Sequence, residues 1–320
     1  MKRRALSLLL ATPALAQGWQ PTRAITVLVP NPPGGGTDFA ARLFADGLAR
    51  LLGQPVVIDN RPGANGNIAI QAAARAVPDG HTILLQYSGY HAGNPAMMRN
   101  PGWDPRDITP LGMATMAPHV ILAAPNLPVS TLAEFIALAR ERPRGERGGM
   151  NYASSGIGSI QHIAGVLFSR AIGVDMVHVP YRGAAAALQD VVGGRVEMFI
   201  TTPSSAIQLV QAGRLRALAM ASARRAPGLP DVPTTAEAGL PGFTIDAWFA
   251  FFGPAGMSPP MRERFNAALR ELAADPVLLA RAEEAGATLS PMTIAELDAV
   301  AQREVAELGA VIRAAGITIE

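Results

Sequence analysis

Cysteine is absent from all 320 residues. That removes thiol nucleophiles, disulfides and thiolate metal sites together. Lysine occurs once, as Lys2. Beyond that position no residue can form a Schiff base, complete a Ser-Lys dyad or anchor pyridoxal phosphate. No stretch reaches the roughly 18 continuous apolar residues of a membrane-spanning helix. The histidines, His81, His91, His119, His162 and His178, show no i,i+3 or i,i+4 spacing and no HExxH motif. A Gly-x-Ser-x-Gly nucleophile turn is also missing. Neither a metal nor an organic cofactor is expected.

The N-terminus carries an export signal in its pattern. Lys2, Arg3 and Arg4 precede a short apolar stretch, residues 5–11, and Ala14-Leu15-Ala16 forms an A-x-A cleavage site. Cleavage after Ala16 would start the exported, mature chain at Gln17. Three of the 27 basic residues lie in this segment, leaving 24 arginines against 25 acids. A near-neutral chain without a basic tract excludes nucleic acid and anionic membranes as partners.

Apolar β-type runs alternate with helical periods. Strands are predicted over 25–29, 56–58, 82–86, 119–123, 176–179, 197–200, 215–220 and 248–252. Helices are predicted over 38–52, 67–75, 132–140, 157–170, 184–192, 259–274, 276–285 and 294–314. Such alternation implies α/β architecture with parallel sheets, and about 300 mature residues suit two domains. Thr131 with Glu134, Thr234 with Glu237, and Thr293 with Glu296 have capping-box spacing. Ser258 before Pro259 reads as an N-cap followed by a first-turn proline. Residues 140–149 read as a solvated loop.

Two glycine-rich loops each lead into a helix. In the first, the strand over 25–29 ends at Pro30-Asn31-Pro32-Pro33, then passes Gly34, Gly35 and Gly36 to Thr37 and Asp38. A P-loop would need Gly-Lys-Ser/Thr, and a dinucleotide fingerprint would need a small residue where Phe39 stands. A helix start offers unpaired N–H groups and partial positive charge, which suit a small anion. Thr37 or Asp38 serves as N-cap, or Asp38 instead contacts an amino or hydroxyl group. The second loop, Ser154-Ser155-Gly156-Ile157-Gly158-Ser159, repeats this logic, with His162 one turn into its helix. Two anion-holding helix starts fit a ligand with a carboxylate at each end.

The chain resembles the Bug (TctC-like) family, the periplasmic solute receptors of the tripartite tricarboxylate transporter system. The resemblance is carried by Val29-Pro30 with Pro33-Gly34-Gly35 and Asp38, Asn60-Arg61-Pro62-Gly63-Ala64, and Pro78-Asp79-Gly80-His81-Thr82. It continues through the second loop, Val179-Pro180-Tyr181-Arg182-Gly183, Leu229-Pro230-Asp231-Val232-Pro233-Thr234 and Trp248 with Gly253-Pro254-Ala255. It implies a two-domain Venus-flytrap (type II) periplasmic-binding-protein fold, with a mixed, mostly parallel sheet in each domain. The domains would span 17–118 plus 250–320, and 119–249. It further implies a monomeric, non-catalytic receptor that delivers a small carboxylate to inner-membrane transporter subunits or a sensor kinase. Ligand contacts would fall on Asn31, Gly35, Gly36, Thr37 and Asp38 in the first loop, and on Ser154, Ser155, Gly158, Ser159 and His162 in the second. Tyr87, Ser88 and Tyr90, then Tyr181, then Thr201 and Thr202, would line the same cleft at strand ends. The position of Asn31 is more usually aromatic in that family, so the ligand class does not carry over.

Two other functions fit the same residues. One is a secreted serine hydrolase using Ser154, Ser155 or Ser159 with His162. The other is a receptor for a neutral or cationic metabolite, with Asp38 as counter-charge.

Overall fold

A computed structural model describes residues 19–142 and 149–319. The export signal and most of the loop over 140–149 lie outside those residues. The first group of elements is β1 (Ile25–Val29), α1 (Gly36–Leu52), β2 (Val56–Asn60), α2 (Asn67–Ala74), β3 (Thr82–Tyr87) and α3 (Ser88–Met97). β1 pairs in parallel with both β2 and β3, with Val27 opposite Ile58 and Ile83. Its apolar run is buried, as a strand covered on both faces should be.

The chain then enters β4 (Ile108–Ala123), followed by α4 (Leu132–Glu141), β5 (Asn151–Ser154), α5 (Ile160–Ile172), β6 (Val177–Pro180) and α6 (Ala184–Val192). After these come β7 (Met198–Thr201), α7 (Pro203–Gln211), β8 (Arg216–Ala221) and β9 (Asp246–Pro254). Three helices close the chain: α8 (Pro259–Ala273), α9 (Pro276–Glu284) and α10 (Ile294–Ala315). The strand path is β2-β1-β3-β9-β4-β7-β5-β6, with β8 also on β4. Each end is a parallel trio, and the long strands β4 and β9 run antiparallel between them. β4 pairs with β9 up to Pro118 and with β7 and β8 from His119 onward. One strand therefore threads both groups. The architecture is α/β with a mixed sheet, the periplasmic-binding-protein fold. Edge-to-face rings fill the core between α1 and β9, where Phe44 meets Phe251 at 5.9 Å.

Several elements depart from the sequence expectation. β4 has 16 residues rather than five. Pro110, Gly112 and Pro118 obscure its first half, and register shifts after Pro110 and Met113 accommodate the broken ladder. Residues 87–90 are not a loop. Tyr87 ends β3 and Ser88 starts α3, whose first seven residues are all buried, so no polar face marks the helical period. β5 and α7 were not anticipated. Thr234 and Glu237 exchange both capping-box hydrogen bonds, yet no helix follows them. Ser258 makes no side-chain cap bond.

The box at α4 is complete. Thr131 Oγ1 accepts from Glu134 N at 3.2 Å, and the Glu134 carboxylate accepts from Thr131 N at 3.1 Å. Thr131→Ala is expected to cost about 1 kcal/mol, read as a lower urea midpoint with an unchanged slope.

Candidate functional site

α1 starts differently from the expectation. Its N-cap is Gly35, with no side-chain cap, and Asp38 lies inside the first turn. The first intrahelical bond runs from Phe39 N to Gly35 O. The N–H groups of Gly36 and Thr37 precede it and have no acceptor within the helix. Thr37 Oγ1 donates to Asn31 Oδ1 at 2.9 Å, and Asn31 Nδ2 donates to the Tyr90 hydroxyl at 2.8 Å. Asn60 Nδ2 donates to the Asn31 carbonyl at 2.9 Å. Asn31 is thus fixed from three sides.

Asp38 is buried and committed. Its carboxylate accepts from Arg42 Nε at 2.9 Å, Gly34 N at 3.1 Å and Asn60 Nδ2 at 3.1 Å. Burial acts to raise its pKa, but the hydrogen bonds from Arg42, Gly34 and Asn60 prevail and hold it below the ordinary value. Its charge is met by Arg42 rather than left open to a ligand.

The opposing wall is built from α5 and α6. Ser155 Oγ donates to Gln161 Oε1 at 2.8 Å, and the Tyr87 hydroxyl donates to the same oxygen at 3.2 Å. Tyr87 stacks on Phe249 at 5.3 Å and meets Tyr90 edge-on at 5.0 Å. Burial raises the pKa of Tyr87 well above its ordinary value and pushes Tyr90 up to about 12. Both are neutral phenols. α6 follows Gly183, and its first intrahelical bond is from Ala187 N, so the N–H groups of Ala184 and Ala185 are also free of helix acceptors.

A small cavity, with about 30 Å³ of room for the centre of a water-sized sphere, lies between these walls. Among the expected residues, Asn31, Gly35, Gly36, Thr37, Tyr87, Ser155 and Thr202 line it. Tyr90 and Tyr181 line an adjoining, larger cavity instead. Gln161, Arg182, Ala184, Ala185 and Phe249 also line the first cavity and were not anticipated. The α6 start repeats the glycine-then-helix pattern of the two loops at Gly183-Ala184, which is the sequence signal that would have found it.

The remaining expected residues line neither cavity. Ser154 is fully buried, with Oγ 2.6 Å from His178 Nε2 and donating to Gly156 O at 3.0 Å. Ser159 is the N-cap of α5, accepting from His162 N and donating to Gly156 O. Gly158 N donates to His162 Nδ1 at 3.0 Å. His162 stacks on His178 at 3.9 Å. Burial pushes His162 down to about 4, and burial with the charge of His162 pushes His178 to about 3, so both are neutral at physiological pH. The pairing of a loop serine with the His162 ring that the hydrolase alternative needs is not formed, because all three hydroxyls donate elsewhere. Ser88 is buried and accepts from Trp248 N at 3.4 Å. Thr201 is fully buried in β7. Among the described residues no group of three or more His, Asp or Glu is placed to hold a metal ion, and no helix is long and apolar enough to cross a membrane.

An α/β fold whose parallel strand trios flank the antiparallel β4 and β9 is that of the periplasmic solute-binding proteins. Residues 40–317 match the family described as the tripartite tricarboxylate transporter family receptor, and the chain belongs to that family. It is 38% identical over 267 residues to the UPF0065 protein in the tcbD-tcbE intergenic region of Pseudomonas sp. (strain P51), covering 83% of this chain and 78% of that one. The structure of R. palustris Rpa4515 with adipate is 35% identical, with a TM-score of 0.89 over 93% of this chain and 99% of that one. MatC (Rpa3494) from Rhodopseudomonas palustris with bound malate is 33% identical, with a TM-score of 0.84 over 91% and 99%. Family members are periplasmic binding proteins that bind small carboxylates and work with transporters.

Proposed function

We propose that this receptor holds a small carboxylate in the cleft and delivers it to inner-membrane tripartite transporter subunits or a sensor kinase. The observation that carries the reading is the meeting of two uncapped helix starts across one cavity. Gly36 and Thr37 open α1, and Ala184 and Ala185 open α6, all four at the cavity wall. Each contributes N–H groups and partial positive charge. Thr202 Oγ1, which accepts from Ser204 Oγ, offers a donor at the same wall, and the Thr37 and Ser155 hydroxyls, which donate to Asn31 and Gln161, would reach the acid by rotating away from those acceptors. The adipate and malate bound by the two related structures support a carboxylate as the ligand here.

In this reading the lobes comprise roughly 17–118 plus 246–320 and 119–245, a few residues short of the expected boundary at 249/250, because β9 pairs with the first half of β4 from Asp246, opposite Pro118, onward. Export removes residues 1–16, so the first residue of the periplasmic protein is Gln17, and the receptor acts as a monomer without a cofactor. A thermal-shift screen of dicarboxylates, aromatic acids, amino acids and sugars tests the ligand class. Stabilisation by acids alone is expected, and stabilisation by sugars or amines alone would overturn the reading. Ser155→Ala is expected to weaken binding of the best acid by about 1–2 kcal/mol, the worth of a hydrogen bond to a charged group, measured by calorimetric titration.

A further inference from the structure

We infer that the cleft has two chambers, and that the outer one receives the far, anionic end of an elongated acid whose first carboxylate sits in the inner one. The inference rests on the carboxylate reading above. The adjoining cavity leaves about 790 Å³ of room for the centre of a water-sized sphere, against about 30 Å³ in the inner one. The two share Asn31, Pro32, Ser155, Arg182 and Gly183 as lining.

Arg182 stands where the chambers adjoin. It is exposed, and no ion pair among the described residues includes it. The acid of the first loop, Asp38, is already met by Arg42. An unneutralised guanidinium at the wall of two cavities suits a second carboxylate, which it can bind bidentately. The outer chamber is otherwise lined in part by Pro62, Ile157 and Ile319, which suit a hydrocarbon body.

The outer wall is also held in an unusual conformation. Gly63, Ala64, Asn65 and Gly66 have successive φ values of 125°, 45°, 56° and 79°. Ala64 and Asn65 occupy the left-handed region, which is unfavourable for residues with a Cβ. A buried amide network maintains it. Asn65 Nδ2 donates to Asn94 Oδ1 at 2.7 Å, Asn94 Nδ2 donates to Asn65 O at 2.9 Å and Asn67 Oδ1 at 2.8 Å, and Trp103 Nε1 donates to Asn67 Oδ1 at 2.7 Å. Strain kept up by its surroundings at a cavity wall is what a shaped binding surface requires.

Calorimetric titration of succinate, adipate, suberate and octanoate into the wild type, Arg182→Gln and Ile157→Trp tests this. Suberate is expected to bind the wild type at least about tenfold more tightly than succinate. Arg182→Gln should weaken suberate by about tenfold, the scale of one charge-assisted contact, and leave octanoate unchanged. Ile157→Trp, which fills the outer chamber from an exposed position, should weaken suberate and octanoate but not succinate. If succinate binds as tightly as suberate and neither substitution distinguishes the acids, the two-chamber inference is overturned and the carboxylate reading stands. If Arg182→Gln weakens every acid equally, Arg182 belongs to the inner clamp and the inference is likewise overturned. If no acid binds the folded protein, both fall together.

Discussion

Gly36→Val is expected to reduce binding of the tightest acid by more than about 100-fold and, by forcing Thr202 and Phe249 aside, to destabilise the folded variant by about 1–3 kcal/mol. A Cβ built at Gly36 would lie 2.7 Å from Thr202 Oγ1, 3.1 Å from Phe249 Cζ and 3.4 Å from Ser204 Oγ. Thr202 and Phe249 line the cavity, so the added methyls would occupy the space where the acid is proposed to sit. They would also hold the α1 start away from the α7 start. The backbone at Gly36 is helical, so valine meets no left-handed strain there. Gly35 is the internal control. It lines the same cavity, yet a Cβ there meets nothing within 4 Å. Gly35→Ala should therefore retain binding within a few-fold. Titration of both variants decides the matter: a folded Gly36→Val protein that binds like the wild type would remove the α1 start from the mechanism.

The contrast between these neighbouring glycines shows how far the sequence could be read. The strand at Ile25–Val29, the turn after it and the helix at Ala184–Val192 follow from apolar period and glycine placement, and the observed bounds of β1 and α6 match them. What could not be read is which atoms of a loop face the cavity. In the second loop, Ser155 reaches the cavity while Ser154 turns to His178 and Ser159 caps its own helix. All three are serines in a polar stretch, and only the rotation of the loop separates them. Gln161 was invisible for the same reason, since its role depends on Tyr87 arriving from another strand. α3 was hidden because Ser88 to Asn94 are buried throughout, which leaves no amphipathic period. The start of α6 became part of the site only because Gly183 is packed against Pro32, where a Cβ would lie 3.1 Å from Pro32 Cγ.

Glu304→Gln is expected to make the protein more stable than the wild type above pH 7, by roughly 3 kcal/mol at most. Glu304 lies on α10, where its carboxylate accepts from the Trp248 indole N–H and the Ser88 hydroxyl. Burial raises its pKa from the ordinary 4.5 to about 7, and the nearby charges of Glu307 and Asp246 act in the same direction. Between those two values the folded protein holds a proton that the unfolded chain has released. Stability therefore falls as pH rises through this window, and the penalty is complete once Glu304 ionises in the folded state. Glutamine has no charge to desolvate, and its amide oxygen can still accept from Trp248. At pH 4.5 the two proteins should differ by only a few tenths of a kcal/mol.

The absolute curves carry an opposing contribution. Burial depresses the pKa of His91 and His119 to about 4, so the unfolded chain takes up protons first as pH falls below 6.5 and stability is lost on the acid side. Subtracting the wild-type curve from that of the variant cancels the histidines and isolates Glu304. Denaturant unfolding at intervals from pH 4.5 to 8.5 gives that difference. A variant that is equally or less stable at every pH would mean that Glu304 is already ionised at neutral pH in the fold. Ser88 follows Tyr87 directly, and Trp248 adjoins Phe249, the two rings that stack at the cavity wall. Ionisation of Glu304 therefore acts on the support beneath the site, and the same pH series run with the best acid should show whether the wild type loses affinity over the window in which it loses stability.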